Sequence, residues 1–296
     1  MMKFSKIVGL ALVIANFMPA LTHAASPKTQ NVFLIITDGL RWQEVFNGAD
    51  ELLLTKETGG VTDTNALRKK FWRDTPEARR EVLLPFFCNQ IAQHGQLLGN
   101  HNKGSLVKVA NPLKFSYPGY NEIFSGIVDP HIDSNGKNPN PNITVFEWLN
   151  GIKKFHGRVA VFGSWDVFPF IFNIERSHLP FWPNLESKPS PDEIKSPMTQ
   201  VMHDTFPLWG TMMTYDGLLF HAALDYVKTE KPRVAFIGFG ETDEWAHEGR
   251  YDRLLESAHR VDDFIRRLWE TTQAISQYRG KTTFIITADH GRGSDA

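Results

Sequence analysis

Apolar positions along this chain are gathered into blocks, and three of the blocks end in an aspartate. They are Val32-Phe33-Leu34-Ile35-Ile36-Thr37-Asp38, Val234-Ala235-Phe236-Ile237-Gly238-Phe239-Gly240-Glu241-Thr242-Asp243 and Thr283-Phe284-Ile285-Ile286-Thr287-Ala288-Asp289-His290. Continuous β-branched and aromatic runs of this length predict strands buried on both faces, as in a parallel sheet. Between them the pattern turns helical. Helices are predicted over 87–94, 144–151 and 216–229, with a long amphipathic one over 251–277; another opens at the Ser116 turn and ends near Gly126. A further strand is predicted over 158–162, and two short ones around 96–100 and 106–110. Strands alternating with helices place the chain in the α/β class, with a mostly parallel central sheet flanked by helices.

Three stretches depart from that rhythm. Positive and negative residues interleave over 69–81, the mark of a solvated helix face rather than an anion site. Residues 129–142, rich in Pro, Asn and Gly, read as a loop. Prolines and aromatics crowd 168–202, so a cap or insertion over about 165–205 is expected in place of regular sheet.

The N-terminus has its own plan. A short basic region (Met1–Lys6) precedes an apolar run over 7–21, and Thr22-His23-Ala24 ends in a small residue. This is the layout of a secretory signal peptide over 1–24, cleaved after Ala24, which makes the chain periplasmic or secreted. The apolar run is shorter than the roughly 20 residues of a spanning helix, so no stable membrane anchor is expected. Cys88 is the only cysteine, which excludes an internal disulfide; its apolar neighbours suggest a buried, inert thiol. At 296 residues the chain is long enough for one large α/β domain or two ordinary ones. A formal net charge of −1 leaves no electrostatic footprint for a nucleic-acid duplex.

Ligand sites in parallel sheets lie beyond the carboxyl ends of the strands. One aspartate there is as often a turn former or a helix cap. Three together, with histidines, point to a metal site. Asp289-His290 pairs a hard oxygen with an imidazole, and the four-residue interval from Asp243 to His247 puts both side chains on one helix face. Such mixed ligands suit zinc and manganese, and two neighbouring sites suit a paired-metal hydrolase. Ser116 is the candidate nucleophile: it precedes a predicted helix start, where backbone N–H groups face an anion, and a nearby cation would make its oxygen more acidic. The alternative is that Ser116 simply caps that helix.

Asp38, the Ser116-Tyr117-Pro118-Gly119-Tyr120-Asn121 turn ending at Ser125-Gly126, the Asp243/His247 pair and Asp289-His290-Gly291 together resemble the alkaline phosphatase superfamily, nearest its type I phosphodiesterase/nucleotide pyrophosphatase branch. The resemblance spans 31–293. It implies an alkaline-phosphatase-like sandwich over 25–296 and two divalent metal ions, zinc first among them. One ion would be held by Asp38, Asp289, His290 and the Ser116 oxygen, the other by Asp243, His247 and a further histidine. The activity implied is hydrolysis of a small-molecule phosphate ester, as a phosphodiesterase/pyrophosphatase or a phosphomonoesterase, through a covalent phospho-enzyme on Ser116.

The chain departs from that branch in places. The branch carries Thr followed by Phe-Pro-Asn-His, whereas this chain reads Ser-Tyr-Pro-Gly-Tyr. The asparagine that helps hold a phosphate oxygen is replaced at Gly119, so either Asn121 substitutes or nothing does. The sulfatase branch is disfavoured, because its Arg after the Pro is missing. Arg292 either contacts a phosphate or forms a structural salt bridge. No histidine follows His290, so either an upstream histidine completes the second ion's set or that ion keeps two protein ligands where three are usual; the second alternative is favoured. The expectation is therefore that the last part of the fold is missing, and the alternative function is a truncated, weakly active or inactive remnant holding at most one metal. A phosphosugar or phosphoglycerate mutase on the same fold is a further reading, weakened by the export signal. The leaving group and oligomeric state are not written in the pattern.

Overall fold

A computed structural model describes residues 28–113, 115–182, 201 and 213–292. Among them, five strands form one sheet: β1 (Asn31–Thr37), β2 (Val159–Gly163), β3 (Phe181–Trp182), β4 (Val234–Phe239) and β5 (Thr282–Thr287). The order is β3-β2-β4-β1-β5 and every pairing is parallel. The three strands that lead to aspartates are thus neighbours. Thr37 lies opposite Phe239, and Ile36 opposite Thr287, so the carboxyl ends of β4, β1 and β5 open side by side.

Side chains alternate between the two faces of a strand, and here both faces are covered. Phe33 and Ile35 of β1, Ala160 and Phe162 of β2, and Ala235, Ile237 and Phe239 of β4 share one core with the Asp216–Thr229 and Tyr251–Ala274 helices. Ile36, Val159, Val161, Val234 and Phe236 point the other way, into a core of aromatic rings with Tyr120, Phe124, Phe146, Phe168 and Phe172. This two-sided burial is why the strands read as unbroken apolar runs. β5, at an edge, is only half-buried, and Ile285 is exposed.

Local signals set the helix starts. Thr144 accepts a hydrogen bond from Glu147 N at the start of the Val145–Gly151 helix, as the predicted helix over 144–151 requires. The charged stretch over 69–81 is helical too, split into Thr64–Phe71 and Pro76–Leu83; Thr75 caps the second, with Pro76 in its first turn.

Two expectations are corrected. Residues 96–100 and 106–110 are not strands; between them lies a short His101–Lys103 turn of 3₁₀-helix. Leu98, Leu106 and Val107 are exposed, and the segment is held by side chains, as in Gly99 N donating to Ser105 Oγ at 2.9 Å. An apolar pattern supplies no hydrogen-bonding neighbour, and among the described residues none pairs with this segment as a strand. The first part of the expected cap is also built differently. Phe168, Ile171 and Phe172 are buried in the aromatic core, and Phe181 and Trp182 pair with Val161 and Phe162 of β2. The rest of that span, 183–200 and 202–212, lies outside the described residues, as does the predicted signal segment over 1–24. No described helix is long and apolar enough to cross a membrane.

Candidate active site

Asp38 extends β1 by one residue, its N–H donating to Phe239 O of β4 at 2.9 Å. The chain then turns at Gly39, which has φ +59° and where a Cβ would collide with Asp243 Oδ1. Gly39 N donates to Asp289 Oδ1 at 3.2 Å, tying the ends of β1 and β5 together. From the Ser116–Ser125 helix, Tyr120 donates its hydroxyl to Asp38 Oδ2 at 3.1 Å. From the Glu241–His247 helix, Thr242 Oγ1 donates to Asp38 O at 2.5 Å.

Ser116 stands at the first position of its helix and is buried. Its Oγ donates to Asp38 Oδ1 at 3.4 Å and lies 3.2 Å from His290 Nε2. One turn on, a Cβ at Gly119 would run into the backbone carbonyl of Asp289. Gly119 therefore has a structural reason: the loop after β5 presses on the Ser116–Ser125 helix. Tyr117 N, one of the amides expected to face an anion, already donates to Asn135 Oδ1 at 3.0 Å.

His290 is the centre of the cluster. Its Nε2 lies 3.3 Å from Asp38 Oδ1, 3.6 Å from Asp289 Oδ2 and 3.7 Å from Asp243 Oδ1. Asp243 Oδ2 in turn lies 3.0 Å from Nε2 of His247, whose side chain is 65% exposed at the rim. Burial alone would lower the His290 pKa, but the hydrogen bond to Asp38 and the charges of Asp289, Asp38 and Asp243 push it up to about 10. Asp289 is held well above the usual carboxylate range, by burial first and then by the charge of Asp38. Burial would raise Asp243 as well; the His247 hydrogen bond and the charges of Arg292 and His290 hold it below its ordinary value. The hydrogen bond to Asp243 raises His247.

Three buried carboxylates this close repel one another unless positive charge lies among them; His290 and Arg292 supply part of it, and a bound cation could take the place of the His290 proton. Asp38, Asp243 and His290 offer ligand atoms that all lie within 4.8 Å of one another. Asp289 Oδ2 is buried without a hydrogen-bond partner, so a ligand position is open inside the cluster. Carboxylate oxygen with imidazole nitrogen is a donor set that fits zinc or manganese. The six expected ligands, Asp38, Ser116, Asp243, His247, Asp289 and His290, form one continuous cluster, and its tightest group mixes residues expected to serve different ions.

Two expected site residues fall elsewhere. Asn121 does not face the cluster: its Nδ2 donates to Ile127 O at 2.9 Å, and its Oδ1 accepts from Asn140 and Asn142 at 3.1 and 3.2 Å. Five residues beyond Ser116, it is turned by roughly 140° around the helix, so it closes the 126–142 loop and cannot substitute for the missing asparagine. Arg292 takes the salt-bridge alternative, with Nη2 donating to Asp243 O at 3.0 Å and pairing with Asp243 Oδ1. Tyr120 and Thr242 are additions that the sequence pattern does not single out. Tyr120 is within reach of helix periodicity, four residues from Ser116 and on the same face; Thr242 carries no local signal.

Residues 116–294, more than half of the chain, match the type I phosphodiesterase / nucleotide pyrophosphatase family. The chain belongs to that family. It is also similar to the 2,3-bisphosphoglycerate-independent phosphoglycerate mutase of Haloarcula marismortui, 30% identical over 77 residues that make up 26% of this chain and 14% of that protein. The part matching the phosphodiesterase family opens at Ser116 and includes Asp243, His247, Asp289 and His290. Asp38 precedes it and joins the site through the pairing of β1 with β4 and β5.

Proposed function

We propose that this chain is an exported, metal-dependent hydrolase of small-molecule phosphate esters, a phosphodiesterase/pyrophosphatase or a phosphomonoesterase, with Ser116 as nucleophile. The observation that carries the reading is the place of the Ser116 hydroxyl, 3.4 Å from Asp38 Oδ1 and 3.2 Å from His290 Nε2, against a buried carboxylate cluster. Asp38, Asp289, His290 and Ser116 would hold one divalent ion, and Asp243 and His247 would contribute to a second, with zinc favoured by the donor set. Bound there, the ions would supply Lewis acidity towards phosphoryl oxygens and make the serine oxygen more acidic.

Ser116 Oγ gives up its proton to solvent and forms a bond to phosphorus as the bond from phosphorus to the leaving oxygen breaks; that oxygen is protonated from solvent. Water then attacks the phosphoserine, the P–Oγ bond breaks, and Ser116 regains its proton. Asp38 positions the hydroxyl, and Tyr120 positions Asp38. Export is part of the proposal and rests on the basic, apolar and small-residue order of 1–24.

The test is turnover of aryl phosphate mono- and diesters with and without a chelator, in the wild-type chain and in Ser116→Ala. Chelator-insensitive turnover, or wild-type activity without the hydroxyl, would sink the reading. Metal content decides the alternative of a weakly active remnant: one equivalent of zinc or none supports it, two support the hydrolase. The likeness to the mutase favours phosphoryl transfer within the substrate instead, and product analysis separates transfer from release of phosphate.

A further inference from the structure

Two buried carboxylates stand behind the ligand cluster, and the proposed chemistry uses neither. Asp216, 2% exposed, opens the Asp216–Thr229 helix, and Glu241, 4% exposed, opens the Glu241–His247 helix. Each caps the other's helix. Asp216 Oδ1 accepts from Gly240 N at 2.9 Å and its Oδ2 from Glu241 N at 3.1 Å, while Glu241 Oε1 accepts from Asp216 N at 2.9 Å. The second Glu241 oxygen accepts from Ser257 Oγ at 3.0 Å and Arg260 Nη2 at 2.5 Å, both on the Tyr251–Ala274 helix. The residues just before the two helices, Tyr215 and Gly240, provide no side-chain cap. The orphan amides of each first turn thus find acceptors on the neighbouring helix, and each N-terminal dipole meets a carboxylate.

The Glu241–His247 helix carries two of the six expected ligands, yet has only seven residues. A helix that short does not hold its shape alone. Its start is fixed at consecutive residues: Gly240 and Glu241 by Asp216, and Thr242 by the Asp38 carbonyl. A start displaced by one residue would rotate the rest of the helix by roughly 100° and carry Asp243 out of the cluster.

We propose that Asp216 is a positioning residue for the metal centre: by holding the Gly240 and Glu241 amides it sets the start of the ligand helix, and with it the places of Asp243 and His247. The inference rests on the reading of the cluster as a metal centre. Partners that orient metal ligands typically change affinity by about 10–100-fold when removed.

The experiment compares Asp216→Asn and Asp216→Ser with the wild-type chain. Asn keeps the size but offers a single acceptor, and Ser is a favoured cap that retains one hydrogen bond. Asp262→Asn is the control: Asp262 is 4% exposed and accepts from Phe86 N at 2.7 Å and Phe87 N at 2.8 Å, but it makes no hydrogen bond to the ligand helix. Zinc affinity is read by competition with a chromophoric chelator, coordination by the absorption spectrum of the cobalt(II)-loaded chain, and folding by the melting temperature without metal. Both Asp216 variants are expected to bind zinc about tenfold or more weakly with a changed cobalt spectrum, and Asp262→Asn to bind as the wild type does. Wild-type affinity and spectrum in the Asp216 variants overturn the proposal alone, as does an equal loss in Asp262→Asn. A wild-type chain that takes up no metal overturns the metal-centre reading and this proposal with it.

Discussion

The ring of His290 at the end of β5 reaches Asp38 at the end of β1, with Nε2 3.3 Å from Oδ1. The two strands are parallel neighbours, Ile36 lying opposite Thr287, and Gly39 N locks their ends together through Asp289. A cation bound here competes with a proton on His290, so metal binding should depend on pH.

A pKa pushed up to about 10 means His290 carries a proton at neutral pH in the metal-free chain. A metal needs the neutral ring, so binding must expel that proton. Zinc affinity should rise by up to roughly tenfold per pH unit between about pH 6 and pH 8, and about one proton should be released at this residue. Zinc titrations across that range, repeated in buffers of different ionisation enthalpy, measure both. Affinity independent of pH would show that His290 is not a ligand.

Gly119→Ala places a methyl against the Asp289 carbonyl, and the neighbour there is backbone, which cannot swing aside. The variant should lose about 1–3 kcal/mol of stability, as overpacked sites do. It should also lose metal affinity, because Asp289 and His290 shift together. Denaturant unfolding and a zinc titration give the two numbers.

Asn121→Ala should leave catalysis alone and damage the fold. The amide joins the Ser116–Ser125 helix to Ile127, Asn140 and Asn142, and its loss leaves a buried Asn140 donor unpaired, at about 1–3 kcal/mol for such a group. The expected result is a lower melting temperature with kcat/KM for aryl phosphate esters within about threefold of wild type, a difference below about 1 kcal/mol in transition-state stabilisation. A loss confined to catalysis would return Asn121 to the site.

Phe236 lies beneath the site on β4, ringed by Tyr120, Phe124, Phe146, Phe168 and Phe172 at centroid distances of 6.1, 5.0, 6.0, 5.4 and 5.3 Å. Truncation to Ala opens a cavity among side chains that cannot all collapse into it, at about 3–5 kcal/mol. Thermal unfolding of Phe236→Ala measures that loss. Because Tyr120 and Phe168 line the same space, Asp38 should also lose part of its support.

The sequence by itself determined the class of fold and singled out the residues that the fold gathers into one cluster. Strands buried on both faces leave a mark in every residue they contain, as β1 and β4 do, and the Tyr251–Ala274 helix shows its period along its length. Asp38, Ser116, Asp243, His247, Asp289 and His290 were legible because strand ends, a helix start and a four-residue interval are local features. The tertiary structure alone decided who stands next to whom. Leu98, Leu106 and Val107 look like strand residues and pair with no described strand; Asn121 looks like a phosphate ligand and points around its helix into a loop. Arg292 could have met a substrate or a carboxylate, and it meets Asp243. Residue type and period are properties of a few neighbouring residues, whereas the order β4-β1-β5, which gathers distant aspartates at one edge, depends on pairing between segments far apart along the chain.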